Sequence, residues 1–432
     1  MVLTSQDLEE ATEFSPLLVY PAHRSYSETA DLEEEQSYGN GADIDDELST
    51  EMLLERERTE EEAPLSGNGY IPKNSLVEQT LSPMDEIVVP LGEASGIPVE
   101  WTPSTAGSPH LFIVGIPGQG KSWTITRILC ELDKQHVPSL VLDFHGQFAD
   151  PHGSFVRIIH PSVIDAAQGL PFSPFECTQE NGTGGWKANS YALAEIFANV
   201  TGMGPMQRDI IYTAIKDAYK THGFEDEEAI DLEYPTPEEV MRRIKQEEQA
   251  RHASNVSARC RPLLEMDLFR PIKHTPDLLS SIRSGLVIDL HNLYAEELQL
   301  AAGAFVLRKL YRDMFRWGNA ERLRLAVVLD EAHRLARDVT LPKIMKEGRK
   351  FGIAVVVASQ GISDFHQDIL GNAGTKVIFR INYPDSKKVS GFIRGRQGQD
   401  IAARIEQLPV GSAYVQTPDM AFGSVIQMYP LE

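Results

Sequence analysis

The sequence predicts an α/β fold in which a mostly parallel β-sheet is flanked by helices. Three observations support this prediction. Short runs of branched apolar residues recur along the chain, as expected for strands that are buried on both faces. Segments with helical spacing of apolar residues alternate with these runs. A glycine-rich turn, Gly115–Ser122, joins one strand pattern directly to a helix pattern.

That turn has the Gly-x4-Gly-Lys-Ser spacing of a phosphate-binding P-loop. The strand pattern Leu111–Val114 precedes it, and apolar residues at helical spacing from Ile125 to Leu132 follow it. Glycines allow successive N–H groups to line an anion-sized concavity, Lys121 would bind the β- and γ-phosphates, and Ser122 would ligate Mg²⁺. The pattern therefore predicts ATP and Mg²⁺ as cofactors. The predicted nucleotide contacts are Gly115, Pro117, Gly118, Gln119, Gly120, Lys121, Ser122 and Trp123.

The net charge of −23 over 432 residues is unevenly distributed. Residues 1–62 contain 19 Asp and Glu but only three Arg, which gives −16, and the remaining 44 acidic and 37 basic residues give −7. Because the acidic segment has little apolar content, residues 1–82 are predicted to be a disordered tail; the alternative is that its short apolar pieces bind a partner. The rest of the chain is only mildly acidic, so nucleic-acid binding would have to be local.

The cysteines Cys130, Cys177 and Cys260 lie far apart and lack metal-binding spacing. They indicate a reducing compartment, with neither a disulfide framework nor a zinc site. The N-terminus has no basic segment followed by an apolar run, and no apolar run approaches the length of a membrane span. We therefore expect a cytoplasmic protein without a membrane segment.

Residues 83–430 are predicted to form one ATPase domain, and residues 186–280 a helical insertion within it. A hairpin comes first and would cover either the nucleotide base or the sheet edge. The predicted strands are Glu86–Leu91, Ile97–Trp101, Leu111–Val114, Ser139–Asp143, Phe155–Ile159, Leu286–Leu290, Leu325–Leu329, Ile353–Ala358, Lys376–Arg380, Ala413–Val415 and Val425–Met428. The predicted helices are Tyr191–Phe197, Gln207–Tyr219, Thr236–Arg251, Glu296–Phe315 and one that starts near Leu341 and stops before Gly352.

Two of these strands end on groups that suit ATP hydrolysis. Strand Leu325–Leu329 is followed by Asp330, which can hold Mg²⁺ through water, and by Glu331, which can orient and deprotonate the attacking water. Without a P-loop upstream, this acidic pair would be interpreted as a simple strand cap. Gln360 follows the strand at Ile353, and since parallel strands end at one crevice, it can contact the γ-phosphate or the water. The alternative for Gln360 is a turn residue that bonds to loop backbone.

Four segments together resemble the HerA/FtsK superfamily of P-loop ATPases, which have a RecA-like core. They are Gly115–Ser122, Val141–Gln147, Leu329–His333, and Glu347–Gly352 running into Ala358–Gln360. The resemblance covers roughly residues 86–430. It implies a RecA-like ATPase that assembles as a ring, with a hexamer expected, and in many members translocates DNA. It also implies that an arginine before the Gln-bearing strand reaches the nucleotide of the neighbouring subunit. Arg349 is the candidate and Arg380 its reserve; the alternative for Arg349 is a solvated side chain at a helix C-terminus.

The sequence departs from this family in two places. Members often have Asp-Pro-His-Gly-Glu on the second strand, whereas this chain has Asp-Phe-His-Gly-Gln at residues 143–147. A carboxylate at 147 is lost, and the roles of Asp143 and His145 stay open between catalysis and strand capping. Typical HerA proteins also carry an N-terminal β-barrel that docks a nuclease, where this chain has a hairpin and an acidic tail.

The resemblance predicts a Mg-dependent, ring-forming HerA-like motor that translocates or remodels DNA, with a nuclease-like or other effector in repair, conjugation or antiviral defence. Lys121, Glu331, Gln360 and Arg349 would be catalytic, and Ser122 and Asp330 would hold the metal. Two alternatives stay open: an ATP-gated scaffold that regulates a defence effector without translocation, and a secretion- or conjugation-type ATPase. Candidate DNA contacts, each also explained as solvated surface, are Arg242–Lys245, Arg259, Arg261, Lys387, Lys388, Arg394 and Arg396.

Overall fold

Eleven strands form one sheet across the residues that the structure describes. The structure is a computed structural model that describes residues 86–103, 107–177, 185–225, 232–270, 277–282, 284–362, 365 and 367–431. The predicted disordered tail, residues 1–82, lies outside these ranges. The strands are β1 Val89–Ala94, β2 Ile97–Trp101, β3 Leu111–Val114, β4 Ser139–Asp143, β5 Ser162–Asp165, β6 Gly285–Asp289, β7 Leu325–Leu329, β8 Ile353–Ser359, β9 Thr375–Ile378, β10 Ser412–Gln416 and β11 Ser424–Met428.

The spatial order of the strands is β2-β1-β11-β10-β9-β3-β8-β7-β4-β6-β5. The seven strands from β9 to β5 pair in parallel, and the remaining pairs are antiparallel. The predicted mostly parallel sheet is confirmed. Because parallel strands all run the same way, the ends of β3, β4, β7 and β8 meet at one edge, which we call the carboxyl edge.

Helices cover both faces of the sheet. They are α1 Lys121–Lys134, α2 Ser154–Ile159, α3 Trp186–Val200, α4 Pro205–Thr221, α5 Pro237–Ala250, α6 Val256–Glu265, α7 Leu278–Ser281, α8 Glu296–Trp317, α9 Thr340–Glu347, α10 Gln367–Asn372, α11 Asp385–Ser390 and α12 Ile401–Glu406. Successive residues of β3 face opposite ways. Leu111 and Ile113 belong to the apolar cluster on the side of α1, while Phe112 and Val114 belong to the cluster formed with α3 and α8.

The region predicted as a helical insertion contains α3 to α7. A capping box starts α5. Thr236 Oγ1 accepts from the Glu239 N–H at 3.3 Å, and Glu239 Oε2 accepts from the Thr236 N–H at 2.9 Å. Asn189 of α3 donates from Nδ2 to the buried Tyr219 hydroxyl of α4 at 2.9 Å. In the described part of the chain, no helix combines the length and the apolar character needed to cross a membrane.

The predicted strand Phe155–Ile159 is wrong, because these residues belong to α2. Only Phe155 and Ile159 are buried there, and a separation of four residues places both on one face of a helix. A strand that buried these two side chains would also bury the residue midway between them, whereas Arg157 is exposed. The sequence analysis also missed β5, which begins at Ser162 just after this helix and pairs with β6 at the edge of the sheet. Its side chains are exposed or half-buried, so it lacks the continuous apolar run of the central strands.

The predicted hairpin is present as β1 and β2, and it extends the sheet. Strand β1 pairs with β11, so the hairpin adds two antiparallel strands to the side where β10 and β11 lie. Arg127 of α1 donates to the backbone carbonyls of Pro90 and Pro430, which ties the helix after the P-loop to this antiparallel extension. Of the two positions that the sequence left open for the hairpin, the structure shows the one at the sheet edge.

Candidate nucleotide-binding and hydrolysis site

The backbone of the P-loop requires glycine at several positions. Gly118 and Gly120 have φ values of +77° and +111°, in the region that L side chains rarely adopt. A Cβ on Gly115 would lie 2.5 Å from Phe379 Cβ, so this residue allows close packing against β9. Helix α1 starts at Lys121, and its N-terminal N–H groups face the loop. The loop therefore has the geometry of an anion cradle at a helix N-terminus.

Lys121 is folded back over the loop. Its Nζ donates to the carbonyl oxygens of Gly115 at 2.7 Å and Ile116 at 3.3 Å. Burial lowers the pKa of Lys121, and the opposing charges of Glu331 and Asp330 raise it in part. The ammonium group is thus buried close to both predicted catalytic carboxylates, where phosphate oxygens would supply additional negative charge.

Asp330 follows β7 at the carboxyl edge and is only 3% exposed. Burial raises the pKa of Asp330 to about 6, and the carboxylates of Glu331 and Asp143 act in the same direction. A buried carboxyl group in this environment is stabilised in its charged form by a cation. The described residues contain no cluster of three or more His, Cys, Asp or Glu that would cage a metal by itself. Mg²⁺ commonly uses few protein ligands together with phosphates and water, so Asp330 and Ser122 fit that ion.

Glu331 is held by three polar neighbours. Its Oε1 accepts from Gln360 Nε2 at 2.6 Å and lies 3.4 Å from His145 Nε2. Its Oε2 lies 3.0 Å from His333 Nδ1. Burial raises the pKa of Glu331, but the contacts with His333, Gln360 and His145 outweigh it and lower the pKa to about 2. Glu331 is therefore an ionised carboxylate in a largely buried site.

The structure thus brings Glu331 and Gln360 together at the carboxyl edge; contact of Gln360 with the γ-phosphate or the attacking water stays a prediction. The structure also adds His333, which sequence reasoning did not single out although it lies two residues after the predicted catalytic Glu. Glu331 itself adopts φ +60°. A non-glycine residue in this region is uncommon, and such residues often occur at functional sites.

Asp143 caps the end of β4. It is fully buried, and its two carboxylate oxygens accept five backbone N–H groups from residues 145–149 at 2.7–3.3 Å. This arrangement matches the capping interpretation of Asp143. The same loop carries His145 to Glu331, so His145 contacts the site while Asp143 organises the loop that places it.

Arg349 lies at the opposite edge of the sheet. It is exposed in the turn before β8, and its Nη1 donates to the Gly107 carbonyl at 2.6 Å. Strand β8 has seven residues, so its length separates Arg349 from Gln360 by roughly 20 Å. The side chain cannot reach the P-loop of its own subunit. The reserve candidate Arg380 lies beside that loop, because its carbonyl accepts the Ile116 N–H at 3.0 Å.

Most of the basic residues considered for DNA binding have acidic or carbonyl partners. Their contacts are Arg242 with Glu239 at 3.9 Å, Lys245 and Arg261 with Glu265 at 3.2 and 3.5 Å, Arg259 with the Thr201 and Gly202 carbonyls, and Lys388 with Asp385 at 3.6 Å. Arg394 and Arg396 are exposed in the loop between α11 and α12.

Comparison with known families decides the membership of this chain. Residues 89–310, which include the P-loop and the helical insertion, match the family described as the central domain of helicase HerA. The chain belongs to the HerA central-domain family. The resemblance inferred from the four sequence segments is confirmed. Residues 291–415 of this HerA-family chain also match the type IV secretion-system coupling protein DNA-binding domain.

The relatives and the similar structures agree with this membership. The DNA double-strand break repair helicase HerA of Saccharolobus solfataricus is 24% identical over 327 residues, which cover 71% of this chain and 61% of the relative. The chain therefore spans less than two thirds of that relative. VirB4 of Thermoanaerobacter pseudethanolicus has a TM-score of 0.64 at 15% identity, covering 81% of this chain and 98% of VirB4.

The plasmid coupling protein TrwB has the same fold. Its complex with a non-hydrolysable ATP analogue has a TM-score of 0.54 at 15% identity, covering 76% of this chain and 85% of TrwB. Its complex with ADP and Mg²⁺ has a TM-score of 0.50 at 14% identity, with coverages of 79% and 88%.

The capping role of Asp143 predicts a loss of stability on substitution. Asp143→Ala leaves five backbone N–H groups, one buried and four partly buried, without their acceptor, and we expect the free energy of unfolding to fall by about 3–5 kcal/mol in urea denaturation. Asp165→Ala is the matched control, because half-buried Asp165 caps a single turn through exposed hydrogen bonds from the Ala167 N–H at 3.0 Å and from Gln168 Nε2 at 3.3 Å. It should cost about 1 kcal/mol or less. Unchanged stability of Asp143→Ala, with ATPase activity lost, would instead make Asp143 a catalytic group.

Proposed function

We propose that this HerA-family chain hydrolyses ATP with Mg²⁺ and uses the energy to translocate or remodel DNA. The observation that carries the proposal is the convergence of the P-loop, Asp330, Glu331 and Gln360 at the carboxyl edge of one sheet. The named activity of the HerA relative and the match to a coupling-protein DNA-binding domain support DNA as the polymer. TrwB complexes with an ATP analogue and with ADP and Mg²⁺ support the choice of ligands.

The residues suggest a division of roles in hydrolysis. The P-loop N–H groups and Lys121 would bind the phosphates, and Ser122 and Asp330 would hold Mg²⁺, which offsets charge on the phosphate oxygens. Gln360 engages Oε1 of Glu331 and fixes the orientation of that carboxylate. Oε2, which lies 3.0 Å from His333 Nδ1, would accept the proton of the attacking water.

The proposal also covers the oligomeric state, the partner and the cellular location of the protein. We expect a homo-oligomeric ring, with a hexamer as the predicted number, in which Arg349 serves the neighbouring nucleotide. A nuclease-like effector, a role in antiviral defence and a cytoplasmic location stay predictions. The cytoplasmic location is predicted because the three cysteines are buried free thiols, as expected in a reducing compartment. Secretion- or conjugation-type ATPase activity is a second candidate, because the fold resembles VirB4 and TrwB. The scaffold hypothesis stays open until movement on DNA is measured.

The test is ATPase activity of the purified chain of known oligomeric state, with and without DNA, over a range of salt concentrations. A DNA motor should show stimulation by DNA that falls steeply as salt rises, because phosphate contacts release counterions. Activity that DNA never stimulates but a protein partner does would contradict translocation and favour the scaffold. Association with membranes would favour the secretion-type enzyme.

Substitutions at the two halves of the site should have different effects. Glu331→Gln removes the proton acceptor, so we expect tight ATP binding and a fall in turnover of about 10²–10⁴-fold. Lys121→Ala removes the fixed counter-charge, so both binding and turnover should be lost. Fluorescent-nucleotide binding and phosphate release measure the two effects separately. Normal turnover by Glu331→Gln would show that another group is the base.

Arg349 should act on a neighbouring subunit, because it lies at the opposite edge from its own P-loop. Arg349→Ala and Lys121→Ala should each be inactive when alone, the first with ATP binding intact. In mixed rings, an Arg349→Ala subunit keeps its P-loop and can receive the intact Arg349 of a Lys121→Ala neighbour. Partial recovery of ATPase activity after subunit exchange is therefore expected. Failure to recover, with exchange confirmed by labelled subunits, would eliminate Arg349 as a trans-acting arginine.

A further inference from the structure

Helices α3 and α4 of the helical insertion place two aromatic side chains at the protein surface. Tyr191 of α3 is 49% exposed, and Tyr212 of α4 is half-buried. Their ring centroids lie 6.1 Å apart and the ring planes meet at 71°, so the edge of one ring faces the other. None of the roles proposed above uses either ring.

Each ring has a cation of α4 beside it. The guanidinium carbon of Arg208 lies 5.5 Å from the centroid of the Tyr191 ring, and Lys216 Nζ lies 5.4 Å from the centroid of the Tyr212 ring. Arg208, Tyr212 and Lys216 follow one another at intervals of four residues, so they share one side of α4. We call Tyr191, Arg208, Tyr212 and Lys216 the insertion stripe.

Both cations of the insertion stripe lack an acidic partner. Within the part of the chain that the structure describes, neither forms an ion pair or a hydrogen bond. The nearby carboxylates of α4 are engaged with other cations, since Asp209 pairs with Arg251 and Asp217 pairs with Lys220 at 3.3 Å. The insertion stripe therefore keeps uncompensated positive charge in a chain whose net charge is −23, and that charge favours a polyanion as the ligand.

Aromatic rings next to unpaired cations suit a single nucleic-acid strand. Its unpaired bases stack on aromatic rings and on flat guanidinium groups, and its phosphates bind cations. We propose that the insertion stripe binds single-stranded DNA, with bases stacked against Tyr191 and Arg208 and phosphates in contact with Arg208 and Lys216. The stripe contains none of the basic residues that the sequence analysis considered for DNA binding.

The geometry of the insertion stripe favours a single strand over a duplex. Arg208 and Lys216 are eight residues apart, which is about 12 Å along the helix, and a stacked strand covers that length in about three or four nucleotides. In a duplex the bases are already stacked and paired, so their faces cannot reach the rings. Because DNA is the polymer of the proposed function, on which this assignment rests, the stripe adds a contact surface and a strand type to it.

The experiment measures binding of a fluorescent oligothymidylate, and of a duplex of equal length, to the full-length protein by anisotropy over a range of salt concentrations. Tyr191→Leu should weaken single-strand binding by about tenfold or more, because a base loses its stacking partner, and should leave duplex binding unchanged. Lys216→Ala should lower the slope of log affinity against log salt by about 0.7 for each subunit that contacts the strand, because one phosphate contact is lost.

Lys220→Ala is the matched control. Lys220 is exposed one turn beyond Lys216 on the same helix, and it is already paired with Asp217. The control should therefore leave both the affinity and the salt slope unchanged. The substituted side chains lie at the surface, and leucine and alanine both favour helices, so each variant should fold.

Single-strand binding that neither Tyr191→Leu nor Lys216→Ala weakens would overturn the proposal, and so would equal losses for the single strand and the duplex in Tyr191→Leu. Polyglutamate of matched charge is the competitor that represents an acidic protein. If it displaced the oligonucleotide as well as unlabelled oligothymidylate does, the stripe would be a docking surface for acidic proteins, which also contradicts the proposal. DNA binding that all the variants retain would remove the stripe and leave the proposed motor standing, whereas a wild-type protein that binds no DNA would contradict the motor itself.

Discussion

The parallel pairing of β3 with β8 is the constraint on which the site depends. The register pairs Val114 with Ser359, and the hydrogen bond from the Gly115 N–H to the Ser359 carbonyl at 3.2 Å continues it into the P-loop. Gln360 directly follows β8, so this register places it at the start of the P-loop. A shift by one residue would turn every side chain of β8 to the other face of the sheet.

The pairing of β7 with β8 then positions the carboxylates of Asp330 and Glu331. Leu329 is paired with Val357, so Asp330 and Glu331 leave the sheet beside the end of β8. Strand β4 lies on the other side of β7, and the loop after it delivers His145 to the same carboxylate. The site is therefore assembled by strand order: the P-loop strand, the Gln-bearing strand, the acidic strand and the His-bearing strand are four consecutive neighbours.

Charge concentrates at both edges of this sheet, and it is buried at the carboxyl edge but exposed at the opposite edge. At the carboxyl edge, Asp330 and Glu331 lie near Lys121, and Gln360, His333 and His145 contact Glu331. At the opposite edge, the exposed side chains of Arg322, Arg349 and Lys350 outnumber the carboxylate of Glu321 around one cavity. Acidic groups are therefore in excess at the carboxyl edge and cationic groups at the opposite edge. A ring in which the two edges of adjacent subunits meet around a nucleotide would be electrostatically complementary.

The sequence by itself determined the sheet, the P-loop and the acidic strand end, because each is specified by a local pattern. A branched apolar run predicts a buried strand, and glycines at positive φ are required wherever the loop turns. Local patterns failed at α2, where Phe155 and Ile159 are buried four residues apart and the intervening residues are not. Only the tertiary structure decided that Asp143 is a cap, that His145 and His333 reach Glu331, and that Arg349 lies roughly 20 Å from Gln360. Those facts depend on strand order and on the direction of each strand, which bring together residues that are far apart in the chain.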